Sequence, residues 1–98
     1  MQILWTHNGL QDIKKVKNYI QNEASSQVAV KFVEELIKKT EILKEFPQSG
    51  RIVPEFGLPF IRELIEKRYR IVYRVSQGKV EILTIFQGKK LLPKILQE

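Results

Sequence analysis

Two arginines occupy alternate positions in YRIVYRV at residues 69–75, namely Arg70 and Arg74. A guanidinium is always charged and offers a planar fork of donors that grips phosphate or carboxylate. On an open strand face, such a group can stabilise a phosphate, a transition state or an acidic partner. Two glutamates stand near in sequence: Glu55, in FPQSGRIVPEFGLP, and Glu63, in FIRELI. Glu55 has the chemistry of a general base, but an acceptor that closes its own loop is the simpler role. Arg70 has two readings, phosphate binding or an ion pair with Glu63, and the residues alone leave both open. Arg74 is expected to pair with Glu81 across a hairpin, worth roughly 0.2–1 kcal/mol. Lys89, Lys90 and Lys94 make a basic tail that can stay solvated or meet nucleic acid or an acidic partner. Arg51 and Arg68 join Arg70, Arg74 and the tail lysines as candidate partner contacts.

Other chemistry has fewer materials. His7 is the only histidine, which excludes a multi-histidine metal site, and its place before a helix suits capping. No glycine-rich phosphate loop or metal-ligand spacing occurs, so no cofactor and no metal is expected. Any enzymatic step would fall to Arg, Lys, Glu and Tyr.

The elements that must position these residues follow from periodicity. QILW at residues 2–5 reads as a first strand, with Thr6 or Asn8 able to cap a helix. Leu10, Ile13, Val16 and Ile20 recur at helical spacing, with Lys14, Lys15 and Lys17 off the stripe and in solvent. After a break at residues 23–26, with either serine as cap, a second helix carries Ala29, Phe32, Val33, Leu36, Leu43 and Phe46. Two such helices with so short a connection form an antiparallel hairpin. Three prolines and two glycines make 46–59 a loop. FIRELI, YRIVYRV and KVEILTIF then alternate with period two and read as an antiparallel meander.

The expected fold is α+β, a β-α-α-β-β-β order with the helical hairpin packed on one sheet face, in a single domain spanning 1–98. A turn at Gln77-Gly78 sets Val75 opposite Val80, Arg74 opposite Glu81, Tyr73 opposite Ile82 and Arg70 opposite Ile85. A turn at Glu66-Lys67 sets Glu63 opposite Arg70 and leaves Arg62 towards the helices, awkward unless it reaches an acid. In this register Tyr69, Tyr73 and Phe86 face the helices and only Trp5 does not, which argues for core packing over a base-stacking platform. The opposite face, with Arg70, Val72 and Arg74, is expected to be open and positive.

Composition agrees with a soluble globular chain: 98 residues, 43% hydrophobic and 29% charged. No cysteine is present, which suits a reducing cytoplasm, and neither a signal peptide nor a membrane-length apolar run is read. The net charge of +6 is uneven: residues 1–46 hold seven basic and six acidic side chains, residues 47–98 ten and five. An acidic partner for the second half is the expectation.

In order along the chain, Pro47, Gly50 and Arg51 in FPQSGR, Pro54-Glu55, Arg62-Glu63-Leu64, YRIVYR and FQGKK resemble the RelE/ParE toxin superfamily of toxin–antitoxin pairs. The resemblance covers essentially the whole chain and implies the fold derived above. It also implies a small basic toxin neutralised by a cognate antitoxin, acting in the cytoplasm, with homo-oligomers possible in the group. RelE-like members cleave mRNA on the ribosome by promoting 2′-hydroxyl attack on the adjacent phosphate. For that branch Arg70 matches the motif arginine, Lys90 falls where a second arginine is common, and Glu55 aligns with an acid–base glutamate. The two lysines of that branch are Ile61 and Glu63 here, and its His-Tyr ending is Gly88-Lys89. ParE-like members lack this set and poison DNA gyrase, and the two full helices, the PxxGR loop and the REL-to-YRIVYR spacing resemble them more. FQGKK departs from their histidine-glycine-arginine ending. The resemblance thus implies a gyrase-binding toxin, with a ribosome-dependent mRNA endonuclease as the alternative. A third reading is a member that binds its antitoxin and is no longer toxic.

Overall fold

The computed structural model describes residues 1–88. Strand β1 (Gln2–Trp5) leads into α1 (His7–Glu23) and α2 (Ser26–Thr40), followed by a 3₁₀ turn over Glu41–Lys44. Four strands then complete the sheet: β2 (Arg51–Ile52), β3 (Ile61–Glu66), β4 (Tyr69–Ser76) and β5 (Lys79–Gln87). The order across the sheet is β1-β5-β4-β3-β2. All neighbours are antiparallel except β1, which lies parallel to β5 because the helical hairpin carries the chain back between them.

Both helices begin where a side chain can replace the missing turn. The Thr6 hydroxyl accepts from Gly9 N at 3.0 Å and the Ser25 hydroxyl from Val28 N at 3.1 Å. The second helix is shorter than its periodicity suggested. The Thr40 hydroxyl donates back to the Ile37 carbonyl, the chain tightens into 3₁₀ geometry, and Phe46 ends up exposed instead of in the core. Leu10 is likewise exposed. Ile13, Val16, Leu36 and Leu43 pack on Leu64, Tyr69, Ile71, Tyr73, Val80, Ile82 and Ile85 to form the main core.

The hairpin at Gln77-Gly78 has the expected register, with Gly78 in the left-handed region at φ 70°. A β-bulge then interrupts β5: Tyr73 faces Ile82 but Val72 faces Thr84, leaving Leu83 as the extra residue. Arg70 therefore faces Phe86, not Ile85. The bulge also turns Phe86 away from the helices onto the Arg70 face, while Trp5 packs against the main core; both differ from the sequence expectation. Helix α1 holds the bulge in place. Asn8 donates to the Leu83 carbonyl, and Asp12 accepts from the Thr84 hydroxyl and from Ile85 N.

The second hairpin turns at Lys67-Arg68, one residue later than expected, so Leu64 faces Ile71 and Glu63 faces Val72. Both turn residues are left-handed, at φ 51° and 71°, without being Gly, Asn or Asp. Lys67 is fixed from outside the turn by Glu35 at 2.7 Å and by the Phe32 ring, 5.5 Å from its ammonium. The short strand β2, inside the segment expected to be loop, pairs Arg51 with Glu63 and Ile52 with Arg62.

Candidate functional site

The sheet face away from the helices is not open. Val53, Ile61 and Val72 are buried together there, with Phe56, Leu83 and Phe86 packed around them. The cover is the 53–60 loop. Its neck closes through Val53 N to the Ile61 carbonyl at 3.1 Å, and Phe56 N and Gly57 N both donate to the Val53 carbonyl. Arg62, which emerges near this neck, meets no acid among the described residues. Its Nε donates to the Pro59 carbonyl and its Nη1 to the Gly50 carbonyl, both at 2.9 Å. These carbonyl bonds resolve the awkward position assigned to it.

Beside this small core lies a chain of four charges. Glu63, 1% exposed, accepts from Arg51 Nε on one carboxylate oxygen and from Arg70 Nε on the other, each at 2.6 Å. Arg70, only 6% exposed, turns its other nitrogens to Glu55, giving a two-pronged pair at 2.8 and 2.9 Å. The guanidinium also stacks near the Phe86 ring, 5.2 Å from its centroid. The order Arg51–Glu63–Arg70–Glu55 alternates in sign and sums to zero. A buried arginine with partners on both sides has its desolvation answered by geometry, the condition under which such a charge persists.

The chemistry follows from these contacts. Three of the five N–H donors of Arg70 point at carboxylates, and two anions flank one cation. The hydrogen bond from Arg70 holds the Glu55 carboxyl below the ordinary carboxylate range, and the same pairing raises the Arg70 pKa further. A carboxylate stabilised in this way is a weaker proton acceptor at neutral pH. Arg74 sits apart, exposed, with Nε and Nη2 on one oxygen of Glu81, whose pKa it lowers. Arg68 lies at the β3–β4 turn, where its carbonyl accepts from Gly88 N at 2.7 Å. Lys89, Lys90 and Lys94 lie outside the described residues. Among the described residues no cluster of histidines and carboxylates is placed to hold a metal, and no helix is long and apolar enough to cross a membrane.

Tyr73 and Gly50 were not singled out as site residues, yet they anchor the segment leading into β2. The Tyr73 hydroxyl donates to the Pro47 carbonyl at 2.8 Å and accepts from Gly50 N at 3.0 Å. A Cβ at Gly50 would stand 2.6 Å from both the Glu63 carbonyl and that hydroxyl, so only glycine fits. The signal was available: PxxG before a strand and a tyrosine on a core-facing position.

Two helices packed on a five-stranded, mostly antiparallel sheet define a small α+β unit. The family model described as "ParE toxin of type II toxin-antitoxin system, parDE" matches residues 3–92, and the chain belongs to that family. Among solved structures, the chromosomal ParDE TA system from P. aeruginosa matches with a TM-score of 0.79 over 91% of this chain and 97% of that one. At 20% identity, that likeness speaks for the fold alone. A search of curated proteins gives no match.

Proposed function

We propose that this protein arrests growth as the toxin of a type II pair by binding a protein target, DNA gyrase, with no bond chemistry of its own, and that a cognate antitoxin neutralises it in the cytoplasm. The observation that carries this reading is the engagement of Arg70. The arginine that a phosphate-cleaving member would present to RNA is buried between Glu55 and Glu63. A phosphate approaching it would find three of its donors already engaged by two carboxylates. Glu55, the candidate acid–base, is the second partner of the same arginine. What faces solvent is Arg51, Arg74 and the turn at Arg68, which favours contact with another macromolecule over catalysis.

Two assays run on one preparation test this. In a translation extract with a defined mRNA, primer extension should find no new 5′ ends at toxin excess. With purified gyrase and relaxed plasmid, supercoiling should fall as toxin is added and recover when antitoxin is present. Codon-positioned cuts that disappear in a folded Arg70→Lys protein would overturn the proposal in favour of the ribosome-dependent endonuclease. Gyrase unaffected by a chain that still arrests growth would remove gyrase as the target.

A further inference from the structure

We infer that the turn Leu58–Ile61, where the 53–60 loop returns to its neck, is where this protein grips its target, and that the target offers an apolar cleft edged by carboxylates. The inference rests on the binding function proposed above and names the surface that performs it. Leu58 and Phe60 are 41% and 47% exposed, in a single turn closed by Ile61 N donating to the Leu58 carbonyl at 3.1 Å, with Pro59 between them.

Their exposure is enforced by the surrounding structure. Val53 and Phe56 pin the loop to the sheet, Glu55 ties it to Arg70, and Val75 N donates to the Phe60 carbonyl at 2.9 Å. Arg62 holds the Pro59 carbonyl from below. The turn therefore cannot fold its two large side chains inward without breaking this set. A rigid turn that already holds its apolar anchors out loses little entropy on binding.

The charge around the turn describes the partner. Among the described residues Arg62 bonds to carbonyl oxygens, and its charge meets no carboxylate among those partners. Arg51 and Arg74 stand at diagonal positions on the neighbouring strands, on the opposite sheet face, and already pair with Glu63 and Glu81. Apolar anchors beside an arginine are a composition that dominates protein–protein binding energy, and here they call for an apolar cleft with an acidic edge facing Arg62. A nucleic acid would use the arginines and leave Leu58 without a partner.

The test compares wild type with the double variant Leu58→Ser/Phe60→Ser. Both side chains are about half exposed, so the thermal midpoint should fall only modestly, and a single cooperative melt serves as the folding check. Expected is a loss of growth arrest on induction and an affinity for immobilised gyrase at least about tenfold weaker, with antitoxin binding retained. Arrest and gyrase affinity unchanged in the folded variant would overturn the inference while leaving the toxin reading intact. Loss of antitoxin binding with arrest retained would overturn it too, by assigning the turn to the other partner. A wild type that neither arrests growth nor binds gyrase would overturn the function itself, and this inference with it.

Discussion

Val72 and Tyr73 are neighbours on β4 and both are fully buried, yet by different means. Tyr73 points into the main core beneath α1 and α2, where apolar packing does the work and both helices satisfy their own backbone groups. Val72 points the other way, under an irregular loop that Val53 and Phe56 pin to the sheet and that the chain of Glu55, Arg70, Glu63 and Arg51 ties down. Hydrophobic cover is non-directional and indifferent to pH, whereas a loop held by charges is specific in geometry and conditional on ionisation. The two sides of one sheet should therefore open separately, with the loop side first.

The largest test of that difference is Glu63→Ala. Removing a buried carboxylate that serves two arginines strands Arg70 in a site it cannot leave, and breaking a buried pair in this manner costs about 3–5 kcal/mol. Leu36→Ala, a truncation in the main core, should cost a comparable ~2–5 kcal/mol by leaving a cavity. Urea titration would give similar losses for both, so hydrogen exchange must separate them. Glu63→Ala should deprotect Phe56 and Gly57 far more than α2, and Leu36→Ala should do the reverse. Equal deprotection everywhere in both variants would mean that the two covers form one cooperative unit.

The same contrast explains what could be read from the chain. The helical hairpin and the Gln77-Gly78 register were legible because they depend on local period and one turn, and Arg74 opposite Glu81 follows directly. Phe86 was placed on the wrong face because the bulge at Leu83 is held by Asn8 and Asp12, more than seventy residues away in sequence. The Lys67-Arg68 turn carries no turn-forming residue, so the hairpin reads one position early. That error moved every pairing by two and hence preserved the faces, which is why an Arg70–Glu63 pair was still reachable. The closure of the outer face was not legible at all. FPQSGRIVPEFGLP shows breakers and no period, and nothing in it announces that Val53 and Phe56 fold back over Val72.

A smaller effect of opposite sign comes from the β3–β4 turn. Arg68 holds a left-handed conformation that costs an ordinary residue on the order of 1 kcal/mol. Its carbonyl, which glycine keeps, makes the bond to Gly88. Arg68→Gly should therefore stabilise the protein by roughly 0.5–1 kcal/mol, part of the relief being returned to the more flexible unfolded chain. Thermal melts would register the gain, and unchanged Phe56 and Gly57 exchange would confirm that it is confined to the helix side of the comparison. A loss of stability would mean that the Arg68 side chain makes contacts worth more than the strain.

The smallest and most local test is acid. The Glu55 carboxyl is held below its ordinary value of 4.5 in the folded protein, first by its hydrogen bond to Arg70 and then by the nearby charges of Arg70 and Arg51. A depressed folded pKa means that the unfolded or opened loop binds the proton more readily. The contribution is therefore complete above 4.5 and lost as pH falls through the folded value. Glu55 is partly exposed, so solvent screens the pair and the change is modest. Protection factors for Phe56 and Gly57, corrected for intrinsic exchange, should hold from neutral pH down to 4.5 and decline below it, while those of α2 hold throughout. Glu35 and Glu81 titrate with the same sign on Lys67 and Arg74, so Glu55→Gln is the necessary control. In that variant the loop should be looser at neutral pH and lose its acid response. A loop whose protection still falls equally in Glu55→Gln would mean that the Glu55–Arg70 pair is not the source of the acid response.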